Sequence, residues 1–419
     1  MNMSPYKDAS MLLNNVSNIT RRPHVCMHVL RDTANDVRLR RSATALAEAG
    51  WQVTVVDVVE KARSMLHPKT STSHTMSYTL QHIIANSDFQ NKRFAGRNSL
   101  QILPMFICSL IRLLKQRADI YHACEWTALP ACSIAAFIRR KPLIFEAYEL
   151  PLQDQILLTR QIGRRLLYAW MHLWLRYVLP RCAAVITVSP LLVQEMQHTY
   201  RLPQVVLIRN IPTYQAITKT HRIREYLHLS EQTRIALYQG NLQLDRGLDR
   251  LVLAATYLEP ECVLVMMGPN IGTTQVELEQ LIAHQQISDH VKIIPAVPYE
   301  VLPIWTASAD IGLTIIPLDY TKNMRMCLPN KLFEYIQAGL PILSSLLPAV
   351  QEILETYNVG KVVPSMEPAD IGAAINMLLH DPVELKRMHD NALQAACQDL
   401  CWHKESRQLI QLYQQVLLT

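Results

Sequence analysis

The chain has 419 residues, 49% apolar and 18% charged. That excludes a disordered polypeptide and exceeds one ordinary core, so two domains of roughly 200 residues each are expected. The formal charge of +6 is too small to argue for nucleic acid and suits an anionic small ligand or an anionic membrane surface.

Residues 1–22 lack a basic start followed by an apolar run, so they read as a flexible leader and not as a secretory signal. Strand and helix patterns then alternate over 23–212: "HVCMHVL" strand, "RLRRSATALAEAG" helix, "QVTVVDVV" strand, a polar stretch, "DIYHA" strand, "TALPACSIAAFIRR" helix, "PLIFEAY" strand, a basic helical region at 155–179, "AAVITVS" strand, a helix and "VVLIRN" strand. The segment "LQILPMFICSLIRLL" is interrupted by Pro104 and Arg112 and falls short of the roughly 18 apolar residues of a spanning helix. Residues 213–231 are polar, carry no strand and read as an interdomain linker. A second alternation fills 232–400, from "RIALYQG" through "CVLVMMG", "VKIIPAV", "IGLTIIPL" and "PILSS" to "GKVVPS". A last helix over 401–419 is placed to pack back on the first domain. Strands in such alternation form parallel sheets covered on both faces, so the expected class is α/β with two doubly wound, Rossmann-like domains facing a central cleft. The nine cysteines are scattered, mostly among apolar neighbours as at Cys26, Cys132 and Cys262, which fits reduced thiols in the cytoplasm. Cys397, Cys401 and His403 lack a fourth metal ligand and a suitable spacing, so no metal site is expected.

The stretch "LPNKLFEYIQAGLPILSS", 328–345, carries chemistry. Asn330 reads as an N-cap after Pro329, and Gly339 with Pro341 ends the helix. On that reading Glu334 takes the fourth helical position, one place late for a capping box. Lys331 and Glu334 share a face; they are either an exposed ion pair worth a few tenths of a kcal/mol or part of an anion site at the positive helix end. A carboxylate one turn in accepts hydrogen bonds from a vicinal diol such as a ribose. In "ALYQGNLQLDRGLDRLVLAA", Gly240 ends a strand where backbone can approach a ligand, and Arg246 stands before a helix, where a guanidinium can pair phosphate oxygens.

With these segments in hand, the chain resembles the retaining GT-B glycosyltransferases of family 4, the group 1 glycosyl transferases, over nearly its whole length. "YQGNLQLDRGLDRLVLAA" is similar to that family's phosphate loop, and "SADIGLTIIPL…LPNKLFEYIQAGLPILSS" to its sugar-nucleotide signature. "NDVRLRRSATALAEAGWQVTVV", "ADIYHACEWTALP" and "PLIFEAYELP" resemble the acceptor-side domain. The resemblance implies that Glu334 binds the donor ribose and that Arg246 and Lys331 neutralise the diphosphate. It also implies that backbone near Val297 reads the base and that Asn330 orients the phosphate end. Three positions depart from the family pattern: Met326 where a Glu contacting the sugar is usual, Asn241 after Gly240 where an Arg is usual, and Tyr148 in place of a His.

The expected function is transfer of a sugar from a UDP- or GDP-linked donor to a glycan or lipid-linked acceptor in polysaccharide biosynthesis, with no resident cofactor and no obligatory metal. Positive side chains would stabilise the leaving group, and retention would proceed on one face with a donor phosphate oxygen taking the acceptor proton. Tyr148, Glu149, His122 and Glu125 are candidates for orienting acceptor or sugar, against plain packing. Asp36 and Arg38 either border the acceptor or form a helix-start ion pair. The basic, aromatic segment 155–181, with Arg160, Arg164, Arg165 and Arg176, reads as a peripheral contact with an anionic membrane on the cytoplasmic face or as a core helix with a solvated edge. Two other functions share the architecture, a nucleotide-sugar 2-epimerase and a catalytically silent nucleotide-binding subunit.

Overall fold

The computed structural model describes residues 21–60, 77–85, 99–152, 162–317 and 321–418. Most of the expected leader (1–20) and residues 155–161 of the basic segment, Arg160 among them, lie outside the described residues. The chain forms two compact units: Met1–Val188 with Leu192–Ile208 and Ser406–Thr419, and Ser189–Leu191 with Arg209–Glu405.

Unit 1 is built on seven parallel strands, β1 (His24–His28), β2 (Gln52–Glu60), β3 (Thr79–Ala85), β4 (Ile120–Cys124), β5 (Leu143–Ala147), β6 (Ala184–Thr187) and β7 (Val206–Leu207), in the order β3-β2-β1-β4-β5-β6-β7. Strands β1, β4 and β5 are buried at every position, as expected where helices cover both faces. Strand β3 escaped the sequence reading. It is an edge strand, and its "TLQHIIA" mixes exposed and buried positions without an apolar run. The segment interrupted in sequence by Pro104 is one helix, Ser99–Lys115, with the proline inside it. It buries Met105, Ser109 and Leu113 and exposes Leu103, Ile107 and Ile111, so it is a surface helix, and no described helix is long and apolar enough to cross a membrane. The C-terminal helix Trp402–Leu418 contributes Tyr413 to unit 1, buried edge-on against Trp51 with centroids 5.7 Å apart.

Unit 2 carries six parallel strands, β8 (Arg234–Gln239), β9 (Cys262–Met267), β10 (Val291–Ile294), β11 (Ile311–Thr314), β12 (Ile342–Ser344) and β13 (Gly360–Val362), ordered β10-β9-β8-β11-β12-β13. Alternate residues serve opposite faces. Ile235, Leu237, Val263 and Val265 join one apolar cluster, while Ala236, Tyr238, Cys262 and Leu264 join the other. Each fully buried large side chain contributes about 1.5–3 kcal/mol. Within the segment read as an interdomain linker, Arg222–Leu227 is a helix that belongs to unit 2. Its Ile223 is fully buried, and the Arg224 guanidinium reaches the Ser308 carbonyl at 2.8 Å and the Asp310 carboxylate at 2.6 Å. The polar composition of 213–231 concealed this docking, because one isoleucine and one paired arginine suffice for it.

In both sheets the strand order reverses beside the first strand, between β1 and β4 and between β8 and β11. In open α/β sheets such a switch point opens a crevice at the carboxyl ends of the strands.

Candidate functional site

The unit 2 crevice is built from the end of β8 and the helix Asn330–Gln337. Pro329, extended at φ −68° and ψ 142°, precedes the helix and is its N-cap; Asn330 is already helical. This corrects the N-cap expected at Asn330. Its side-chain oxygen accepts a 2.8 Å hydrogen bond from Asn210 Nδ2 instead. Glu334 is therefore a further place removed from a capping box. The helix ends as its sequence predicts. Gly339 adopts φ +70°, its N–H donates to the Ile336 carbonyl at 3.1 Å, and Leu340 N–H donates to the Tyr335 carbonyl at 2.9 Å, the Schellman pattern.

Tyr335 fixes this helix to the sheet. Its buried hydroxyl accepts from Gln239 N at 2.9 Å and lies 3.0 Å from the Leu237 carbonyl. The ring occupies space left by Gly312, where a Cβ would come within 2.5 Å of ring carbons.

Lys331 and Glu334 are not an exposed ion pair. Lys331 is buried, and its Nζ sits 3.5 Å from the centroid of the Tyr238 ring with no hydrogen-bond partner among the described residues. Burial and the neighbouring Arg246 charge hold the ammonium well below the ordinary lysine range, against a smaller opposite pull from Glu334. Glu334 is half-buried and accepts from Gln239 Nε2, whose own side-chain oxygen accepts from Thr306 Oγ1 at 2.8 Å. Gln239 and Thr306 were missed in sequence. The available signal was a polar residue ending an otherwise apolar strand directly before a glycine.

Arg246 closes a short turn, Leu244–Arg246, with Gly247 left-handed at φ +74° behind it. The guanidinium lies against the Tyr238 hydroxyl, and its Nε has no hydrogen-bond partner among the described residues. Gly240, at φ +135°, passes within 3.6 Å of the Lys331 side chain, measured from where its Cβ would be. Gly268 backs onto it so closely that a Cβ there would stand 1.8 Å from the Gly240 carbonyl oxygen. Asn241 is exposed, and its carbonyl accepts the Tyr238 hydroxyl at 3.0 Å. Met326 is buried, its carbonyl accepting from Ser189 Oγ. Val297 lies half-buried in the loop after β10, two strands from β8, and leads into the helix Leu302–Thr306 that carries Thr306. Lys331, Arg246, Glu334 and Gly240 therefore converge, and Val297 packs against the apolar cluster that includes Leu332 and Phe333 of the same helix.

In unit 1, His122, a candidate for orienting acceptor or sugar, lies inside β4 (Ile120–Cys124). It is fully buried, with Nδ1 bonded to the Tyr413 hydroxyl and Nε2 3.3 Å from the Glu146 carboxylate. Arg38 is also buried. It pairs with Glu146, Nε to Oε1 at 2.8 Å, and donates to the Ile208 carbonyl at 2.8 Å. Burial raises the Glu146 pKa, but Arg38 and then His122 outweigh it and bring the carboxyl down to about 2. Asp36 caps the helix Val37–Glu48 through Leu39 N at 2.9 Å and pairs with Arg31 at 2.7 Å. Asp36 thus serves as a helix-start cap paired with Arg31, and Arg38 pairs with Glu146, not with Asp36. Arg31 also reaches Glu125 at 3.1 Å across the β1/β4 switch point, with Glu125 held at φ +69°. Tyr148 is half-buried, its ring 5.1 Å from the Arg31 guanidinium and 5.4 Å from that of Arg38, while Glu149 is exposed. Among the described residues, Cys397, Cys401 and His403 do not gather their ligand atoms as a metal site would.

Comparison with known proteins places this geometry. A family model described as Glycosyltransferase Family 4 matches residues 37–211, and one described as Glycosyl transferases group 1 matches residues 219–395. An alpha-D-kanosaminyltransferase of Streptomyces kanamyceticus is 25% identical over 227 residues, 52% of this chain and 56% of its own. A D-inositol 3-phosphate glycosyltransferase of Xylanimonas cellulosilytica is 26% identical over 212 residues, 49% of this chain and 48% of its own. The chain spans about half the length of the curated relatives it matches. Sucrose-phosphate synthase from Thermosynechococcus elongatus shares the fold at a TM-score of 0.75 and 17% identity, over 95% of this chain and 100% of its own. Anabaena HepE, solved with UDP and glucose, does so at 0.69 and 16%, over 94% and 100%. Two family models in tandem, each lying on one of two doubly wound parallel sheets, establish that the chain belongs to the GT-B glycosyltransferases of family 4.

Proposed function

We propose that this protein transfers a sugar, with retention of configuration, from a nucleoside-diphosphate donor to a glycan or lipid-linked acceptor. The observation that carries the reading is the pair of cationic donors in unit 2 that lack partners among the described residues, Lys331 Nζ and Arg246 Nε, with Lys331 one helical turn from Glu334. A buried ammonium without an acceptor is costly in the free protein, and a diphosphate would remove that cost. In this reading Lys331 and Arg246 hold the diphosphate and stabilise the charge that develops on it as the glycosidic bond breaks. Glu334, oriented by Gln239, takes the ribose hydroxyls. The loop at Val297 takes the base, and Asn330 borders the phosphates. A phosphate oxygen of the departing diphosphate accepts the acceptor's proton, so no enzymic nucleophile is required. UDP is the first nucleotide to test, since the structurally similar HepE was solved with UDP.

Unit 1 supplies the acceptor-side candidates Tyr148, Glu149 and Glu125. A lipid-linked acceptor is supported by the helix Ile162–Val178, which exposes Leu166, Leu167, Trp170, Leu173 and Tyr177 beside Arg165 and contains no acidic residue. Such a face suits peripheral contact with an anionic bilayer.

A thermal-shift series with UDP-, GDP- and ADP-sugars identifies the donor. In calorimetry with that donor, Glu334→Ala and Arg246→Ala are each expected to weaken binding by about 1–3 kcal/mol. Unchanged affinity in both would remove the site assignment. Release of nucleoside diphosphate only in the presence of acceptor separates a transferase from an epimerase or a silent subunit.

A further inference from the structure

Tyr238 is a polar aromatic residue in an otherwise apolar stretch of the sheet, and it stands between Lys331 and the Gly240–Asn241 corner of the anion site. It lies one residue from the end of β8, fully buried within the apolar cluster that includes Leu242, Leu248 and Leu313. Lys331 Nζ stands 3.5 Å over the ring centroid. The hydroxyl donates to the Asn241 carbonyl at 3.0 Å and faces the Arg246 guanidinium.

We propose that Tyr238 is the positioning residue of the anion site. Its ring face holds the Lys331 ammonium, and its hydroxyl, anchored on the Asn241 carbonyl, lies on the side of Arg246, so one rigid side chain sets where the Lys331 charge stands relative to the second cation. This rests on the reading of the crevice as a diphosphate site.

The physical case has three parts. A buried ammonium without hydrogen-bond acceptors needs a negative surface, and the face of an aromatic ring supplies one without occupying the N–H groups that point away from it, which stay available to a ligand. A carboxylate in the same place would pair with the ammonium and compete with an incoming anion. The phenol is neutral, with burial pushing its pKa up to about 12, so it steadies Arg246 without cancelling its charge. Finally, the hydroxyl ties the Gly240–Asn241 corner to the same ring, and Asn241 occupies the position where a cationic side chain was expected. Lys331 and Arg246 therefore carry the binding charge of this corner, and their spacing is correspondingly important.

The test uses the full-length protein and three probes: UDP, GDP and inorganic pyrophosphate, with uridine and guanosine as phosphate-free controls. For whichever nucleotide binds the wild type, Tyr238→Leu is expected to weaken diphosphate affinity about 10–100-fold, within the range of a lost cation–π contact plus lost orientation. Binding of the matching nucleoside should stay within about twofold, the spread of ordinary surface changes. Tyr238→Phe should restore most of the loss. In a double-mutant cycle, the remaining effect of Tyr238→Phe should disappear in an Arg246→Ala background. Equal weakening of nucleoside and diphosphate, or unchanged diphosphate affinity in Tyr238→Leu, would overturn the assignment while leaving the diphosphate site in place. If Tyr238→Leu does not fold, the Tyr238→Phe and Arg246→Ala cycle decides, and additivity there overturns the proposal. A wild type that binds none of the three probes refutes the underlying reading instead.

Discussion

Replacing Lys331 by methionine should move stability and binding in opposite directions. The ammonium is buried with no hydrogen-bond acceptor among the described residues. Desolvating such a charge costs several kcal/mol; the Tyr238 face returns about 2 kcal/mol when the contact is desolvated. A net penalty of about 1–3 kcal/mol remains, and methionine, apolar and similarly long, removes it. For a unit of about 200 residues each kcal/mol corresponds to about 2–4 °C in Tm, so Lys331→Met should melt about 2–12 °C above wild type without ligand. Diphosphate affinity should fall by about 1.5–3 kcal/mol, the loss of a charged hydrogen bond, or about 10–150-fold. Ligand at 100 times the wild-type Kd stabilises the wild type by about 2.7 kcal/mol and the weaker-binding variant by about 0.3–1.4 kcal/mol, so ligand should narrow or close the gap between the two melting curves. The pH dependence supplies a further check. A lysine whose folded pKa is depressed binds fewer protons folded than unfolded, so stability rises with pH from the depressed value up to the ordinary lysine value of about 10.4. The variant should lack that rise. Differential scanning calorimetry and titration calorimetry measure all three quantities. A variant that melts lower than wild type and binds diphosphate equally well would show that Lys331 is a structural residue and refute the reasoning.

Two further substitutions probe the framework. Gly312→Ala places a Cβ within 2.5 Å of the Tyr335 ring, an overpacking expected to cost about 1–3 kcal/mol in chemical denaturation and to weaken donor binding by tilting the helix that carries Glu334; intact affinity would mean that Tyr335 does not set that helix. Arg38→Met leaves Glu146 buried beside His122 without its guanidinium and should cost about 3–5 kcal/mol by urea unfolding at pH 7. In the wild type, the depressed Glu146 pKa means that this carboxyl's contribution is complete above the ordinary glutamate value of about 4.3 and is lost as pH falls toward about 2. A variant with the wild-type acid profile and unchanged stability would show that the pair contributes nothing.

Much of the architecture could be read from sequence because it is set locally. Apolar strands between helical-period segments specify two parallel sheets, and the "AGLP" ending of the helix at 330–337 dictates its Schellman stop through glycine's freedom at positive φ and proline's missing N–H. Local rules also brought Lys331, Glu334, Gly240 and Arg246 to attention as a group. What they could not decide was the state of each charge. Whether Lys331 is solvated or buried over Tyr238, whether Glu334 pairs with it or with Gln239, and whether His122 faces solvent or Tyr413 depend on residues between 93 and 291 positions away in the chain. Burial and desolvation are properties of the packed neighbourhood, and no short-range pattern encodes them. The docking of Arg222–Leu227 and the edge strand β3 were hidden for the same reason, since each is held by partners that its own sequence does not announce.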